Sequence, residues 1–233
     1  IMELFYNDQI DNQTKVFKLE GKEHMHINKV LRKKEGQIVK FTNGNSYCFS
    51  SRIISILEKE SNFEIISKTK FETPPFLHVA ISLLKSQTRF EMFLEKAVEI
   101  GVSEITPLIC ERSQKKNMNV KRSKNILISA LKQSNKYFLP KLNEPENFKN
   151  FVKKNKEENK LLATCEDYQK KNIVKAYDSK KNNLIMIGPE GDFSKSELEK
   201  AKLADFQFVS LGENRLRAET AGIMACAIFS MIK

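Results

Sequence analysis

The 233-residue chain has 40 Lys and Arg against 29 Asp and Glu, a formal net charge of +11, with 40% hydrophobic and 30% charged residues. That is enough chain for one large or two modest domains with a real core, and the composition excludes a disordered polymer. No apolar run reaches membrane-spanning length and no basic flank leads into an apolar N-terminal stretch, so neither a transmembrane helix nor a secretory leader is expected.

The first 70 residues read as β-rich. Apolar residues alternate or cluster over Glu3–Tyr6, Gln37–Thr42, Ser46–Phe49, Ile53–Leu57 and Phe63–Ser67, and Thr42-Asn43-Gly44-Asn45 has the chemistry of a hairpin turn. A helical stretch, Glu23–Arg32, interrupts them, and a small barrel is the natural closure for strands this short. Pro74-Pro75 bars both helix and central strand, which sets a domain boundary: 1–72 and 73–233.

From Phe76 onward strands and helices alternate. His78–Leu84 and Glu104–Cys110 read as buried strands. Arg89–Ile100 and Ser123–Gln133 read as amphipathic helices, the first capped by Gly101. Leu161–Cys165, Leu184–Ile187 and Gln207–Leu211 read as three more strands, each leading into a loop, and an apolar helix, Ile223–Ile232, closes the chain. This pattern predicts an α/β domain with a mostly parallel sheet. Residues 1–73 hold 12 basic and 10 acidic residues, so the positive excess lies mainly beyond them. With 33 Lys against 7 Arg, charge alone leaves a polyanionic partner and an AT-rich coding bias equally open. Lysine runs such as Lys170-Lys171 read as solvated faces.

The four cysteines are scattered with no CxxC, and three histidines form no HExxH, so no metal site is expected and a reduced, cytoplasmic protein is the simplest reading. Neither GxGxxG, GxxxxGK[ST] nor GxSxG occurs. The chemistry-bearing positions are glycine turns at strand ends, where open α/β sheets bind ligands. Ile187-Gly188-Pro189-Glu190-Gly191 leads to Ser194 and Glu197 at capping-box spacing. Leu211-Gly212 precedes Arg215 and Arg217, two of the seven arginines, whose rigid forks suit anions. An ordinary strand–turn–helix joint and a surface Arg217–Glu219 pair remain the plain alternatives.

His26-Ile27-Asn28-Lys29-Val30-Leu31-Arg32, Glu95-Lys96-Ala97-Val98-Glu99-Ile100-Gly101-Val102, Glu111-Arg112-Ser113, Gly188-Pro189-Glu190-Gly191 and Leu216-Arg217-Ala218-Glu219-Thr220-Ala221 follow in the order and spacing of the RsmE family, which the chain resembles over nearly its whole length. Members are small-subunit (16S) ribosomal RNA uridine-N3-methyltransferases. The resemblance implies an N-terminal PUA-like β-barrel and a SPOUT domain, an α/β domain with a trefoil knot and a mostly parallel sheet. It also implies S-adenosylmethionine as cofactor, a homodimer, and ribosomal RNA or the small ribosomal subunit as partner, with no metal and no membrane. The cofactor positions carried over are Thr164, Cys165, Glu166, Ile187, Gly188, Pro189, Glu190, Gly191, Leu211, Gly212, Leu216 and Thr220. The chain departs from the family pattern in three places: Asp192 where glycine is commoner, Asn214-Arg215 before Leu216, and Lys132-Gln133.

Methylation at N3 requires loss of a weakly acidic proton, with charge spreading onto flanking carbonyls. Arg217 is expected to stabilise that charge, and Glu190 or Glu219 to take the proton or orient Arg217. His26, Arg32, Lys33 and Lys34 in the first part, and Arg89, Arg112, Lys115 and Lys116 in the second, are the candidate RNA contacts. A related enzyme acting on another RNA or atom, or a non-catalytic RNA-binding assembly factor, would share the charge and fold.

Overall fold

The computed structural model describes residues 3–232 and divides into two compact units. The first holds the chain up to Thr73 together with Leu131–Leu139; the second holds Pro74–Ala130 and the chain from Pro140 on.

In the first unit, β1 (Leu4–Tyr6), β2 (Val16–Glu20), β3 (Ile38–Thr42), β4 (Tyr47–Ile56) and β5 (Glu60–Lys70) form one sheet in the order β1-β3-β4-β5-β2. The expected segments Ser46–Phe49 and Ile53–Leu57 are one ten-residue strand, β4. Its register against β5 shifts at Ser50/Ser51 and again at Ile53/Ser55. Such bulges break apolar alternation and add bend and twist, which explains both the split reading and the half-barrel shape. β2 went unread because only Phe17 and Leu19 alternate there between exposed neighbours. Inside the curve, Phe41 meets Phe5, Phe17 and Phe63 at ring-centroid distances of 5.4, 4.9 and 5.0 Å. The expected helix Glu23–Arg32 is α1 (Gly21–Met25) running into a π-helical turn, His26–Val30. At the β3–β4 turn Gly44 has φ +79°, and a Cβ there would stand 2.8 Å from that of Leu139. Position 44 therefore needs glycine for both conformation and room.

The second unit runs β6 (Leu77–Ser82), α2 (Gln87–Ile100), β7 (Glu104–Ile109), α3 (Val120–Gln133, whose last turn belongs to the first unit), β8 (Lys141–Leu142), β9 (Glu146–Asn147), α4 (Phe148–Lys154), β10 (Asn159–Ala163), β11 (Lys171–Asn172), α5 (Ile173–Ala176), β12 (Asn183–Ile187), α6 (Lys195–Leu203), β13 (Gln207–Ser210) and α7 (Ala218–Met231). The strand order is β11-β13-β10-β12-β6-β7-β8, with β9 also on β7, and every pairing is parallel. β6 and β12 are buried at every residue, as central strands covered on both faces must be. Gly101 caps α2 in the left-handed conformation, φ +116°, and Ser194 and Glu197 form the expected capping box on α6. α7 starts five residues before the apolar run that announced it, because Ala218, Glu219 and Ala221 favour helix while the Ala218–Gly222 stretch carries no large apolar residue to mark it. Among the described residues no helix is long and apolar enough to cross a membrane.

One consequence of this topology places the site. Ala163, the last residue of β10, pairs with Ile187 of β12 on one side and Val209 of β13 on the other. Three loops therefore leave the same edge of the sheet side by side.

Candidate functional site

The loops after β10, β12 and β13, with the start of α7, enclose a cleft of about 630 Å³. Of the residues expected to bind a cofactor, Thr164, Cys165, Ile187, Gly188, Pro189, Glu190, Leu211, Gly212 and Leu216 line it, and so does Arg217. Glu166, Gly191, Thr220 and Glu219 are not part of its wall. The backbone N–H of Glu166 donates to Thr164 Oγ1, and Gly191 turns its carbonyl to Arg112. The cleft also takes in Lys170, Asp192, Ser210 and Arg215. Lys170 was hidden in a lysine pair; its ammonium donates to the carbonyls of Glu166 (2.8 Å) and Thr164 (3.4 Å).

The Gly188–Ser194 loop is held by carboxylates and one guanidinium. Glu190 Oε1 accepts the backbone N–H of Lys85 at 3.0 Å. Glu197, buried, accepts the backbone N–H groups of Glu111 and Ser194, both at 2.9 Å. Arg112 Nη1 donates to the carbonyls of Gly191 (2.6 Å) and Phe193 (3.3 Å). Asp192 Oδ2 accepts from Thr164 Oγ1 (2.9 Å) and from the backbone N–H of Cys165 (2.7 Å). Charge-assisted bonds of this kind are about twice as strong as neutral ones, so the loop is preorganised from three sides. At Gly188, a Cβ would lie 3.1 Å from the Phe193 ring, so glycine lets the loop fold over that side chain.

Glu219 is buried and faces Arg89, with Oε1 3.6 Å from Nε, rather than pairing with Arg217. Its second oxygen, Oε2, is buried without a hydrogen-bond partner among the described residues. Arg217 is exposed at the N-cap of α7, and among the described residues its guanidinium makes no hydrogen bond or ion pair. Lys115 donates to Gln87 Oε1 (3.3 Å), and Lys116 is exposed. In the first unit His26, Arg32 and Lys34 are exposed and Lys33 is half-buried.

A second cavity of about 670 Å³ opens at the amino ends of the strands, around His78, Thr106 and Asn143. Its polar groups are spent on one another: the His78 ring meets Glu157 Oε1 at 2.5 Å and Thr106 Oγ1 at 2.7 Å, while Asn143 donates to Glu104 and Thr106. Ligands of open α/β sheets bind at the carboxyl ends, where the first cleft lies. No group of His, Cys, Asp and Glu suited to a metal ion occurs among the described residues.

Comparison with known proteins identifies the fold that carries this cleft. Residues 72–230 match the model of the RNA methyltransferase domain family. The chain belongs to that family. Within it the likeness is to the RsmE group. The ribosomal RNA small subunit methyltransferase E of Mesomycoplasma hyopneumoniae is 32% identical over 194 residues, covering 79% of this chain and 85% of that one. A crystal structure of a probable rRNA-methyltransferase from Porphyromonas gingivalis superposes with a TM-score of 0.88 at 33% identity, covering 97% and 95% of the two chains. That of the ribosomal RNA small subunit methyltransferase E from Neisseria gonorrhoeae, bound to S-adenosyl methionine, gives 0.88 at 27% identity over 97% and 96%. The mostly parallel α/β unit and the β-rich N-terminal unit are thus those of the RsmE family.

Proposed function

We propose that the chain transfers a methyl group from S-adenosylmethionine to N3 of a uridine in small-subunit ribosomal RNA. The observation that carries this reading is the convergence of the β10, β12 and β13 loops on one cleft, in a family whose Neisseria gonorrhoeae member was crystallised with S-adenosyl methionine. The cleft suits that molecule. Its volume falls within the roughly 300–1,000 Å³ of small-molecule sites. Apolar Ala163, Ile187, Val209 and Leu211 offer a slot for a flat base, beside glycine backbone at positions 188 and 212.

S-adenosylmethionine supplies an electrophilic methyl group; the chain must present the nucleophile and manage its charge. Arg217 lines the cleft with free donors at the positive end of α7, so it can hold a uridine carbonyl oxygen as negative charge builds there. Glu190 also lines the cleft, one oxygen anchored on the Lys85 N–H and the other available for the N3 proton. Glu219 lies outside the cleft wall and serves to orient Arg89. Arg89 and Lys115–Lys116 in the second unit, with His26, Arg32, Lys33 and Lys34 in the first, supply phosphate contacts. Arg112 acts chiefly as a brace of the Gly188–Ser194 loop. A second copy of the chain covers α7, which leaves Met224 and Met231 exposed.

Titration calorimetry of the protein with S-adenosylmethionine tests the reading: saturable binding of one molecule per chain is expected. No binding would leave the non-catalytic RNA-binding factor.

A further inference from the structure

Asp192 stands where glycine is commoner in the RsmE family, and the backbone shows why glycine suits the place: φ is +62°. An L-residue there is strained unless something holds it, and aspartate is among the few that tolerate the region. What holds it is its own carboxylate. Oδ1 accepts the N–H of Phe193 (2.7 Å), and Oδ2 accepts both the Thr164 hydroxyl (2.9 Å) and the Cys165 N–H (2.7 Å). Those last two bonds cross from the loop after β12 to the loop after β10, and Thr164, Cys165 and Asp192 all line the cleft.

We propose that Asp192 is a positioning residue for cofactor binding, a carboxylate latch that keeps two of the three cleft loops in their bound arrangement before the ligand arrives. This rests on the reading of the cleft as the S-adenosylmethionine site. A site that is binding-competent only part of the time loses apparent affinity in proportion to the missing fraction. The latch acts through Thr164 and Cys165, so its loss shows in cofactor affinity rather than in the methyl-transfer step.

Three substitutions separate the latch from backbone strain. Asp192→Gly keeps the left-handed backbone at no steric penalty but removes the latch. Asp192→Asn keeps an acceptor toward Thr164 and Cys165 and tolerates the same φ. Asp192→Ala loses both features. Calorimetry with S-adenosylmethionine, thermal melting and saturation kinetics are run on each. The expected result for Asp192→Gly is a Kd and cofactor KM raised about tenfold, the equivalent of one charge-assisted hydrogen bond, with kcat and the RNA KM within about twofold of wild type. Asp192→Asn should recover most of the affinity. Wild-type cofactor affinity in folded Asp192→Gly would overturn the latch. Failure of the wild-type protein to bind S-adenosylmethionine would instead overturn the reading of the cleft.

Discussion

Glu219 pairs with Arg89, 3.6 Å away, and leaves Arg217, two residues before it in the chain, without a partner among the described residues. The helix start explains the separation. Arg217 is the N-cap of α7 with an extended backbone, whereas Glu219 lies in the first turn and points under the helix toward α2. The guanidinium over the cleft is therefore free to meet a substrate oxygen. Arg217→Ala is expected to bind S-adenosylmethionine within a few-fold of wild type and to lose about 10²–10³ in kcat, the usual effect of removing one preorganised oxyanion donor. Single-turnover assays at saturating cofactor check this, and unchanged turnover would remove Arg217 from the mechanism.

The two carboxylates should respond differently to neutralisation. Glu190→Gln keeps an oxygen for the Lys85 N–H but loses the proton acceptor, so kcat should fall by about 10²-fold with little change in melting temperature. Glu219→Gln, outside the cleft wall, should leave kcat within a few-fold. The reverse ranking in the same turnover assay would assign proton removal to Glu219.

Gly222 lies where α7 crosses α2 and β6. A Cβ there would stand 2.8 Å from the Phe93 ring and 3.1 Å from Ile81 Cδ1, both fully buried. Helix propensity favours alanine by at most about 1 kcal/mol, while overpacking a closed core costs about 1–3 kcal/mol, and crowding wins because neither neighbour can retreat into solvent. Gly222→Ala should lower the melting temperature by several degrees in calorimetry. A higher melting temperature would mean that α7 shifts freely.

Cys165 is the exposed cysteine, at the cleft, whereas Cys48, Cys110 and Cys226 are buried. Burial raises the thiol pKa of all three, that of Cys226 to about 12, which keeps them protonated and unreactive. Alkylation of native protein at neutral pH should modify one thiol, mapped to Cys165 by peptide mass spectrometry, and S-adenosylmethionine should slow it. Modification unaffected by ligand would place the ligand elsewhere.

Much of this was legible in residue order, and the limits have physical causes. Parts of α2 and α6 were readable because Gly101 and the Ser194–Glu197 box mark helix ends chemically, whereas the sequence pattern starts α2 at Arg89 and misses its Ser86 cap. The loops after β12 and β13 were readable because apolar strands run straight into Gly188 and Gly212, whereas the loop after β10 carries no glycine and was placed at the site only by the resemblance. β2 and the continuity of β4 were not, since bulges and a half-exposed edge erase the alternation that betrays a strand. Nor does local pattern carry any signal for a knot, an expectation that rests on the resemblance alone. The role of Asp192 was invisible for another reason. It depends on a φ of +62° and on Thr164, 28 residues away, and neither is encoded in neighbouring residues.

The central claim, that this cleft serves uridine N3 methylation of small-subunit ribosomal RNA, is tested most directly by nucleoside mass spectrometry. Small-subunit RNA lacking the modification, free and in assembled subunits, is incubated with the protein and S-adenosylmethionine, then digested. The account predicts a single new nucleoside, 3-methyluridine, formed about 10²–10³-fold more slowly with Arg217→Ala. A ribose-methylated or other base-methylated product, or none from either substrate, would contradict it.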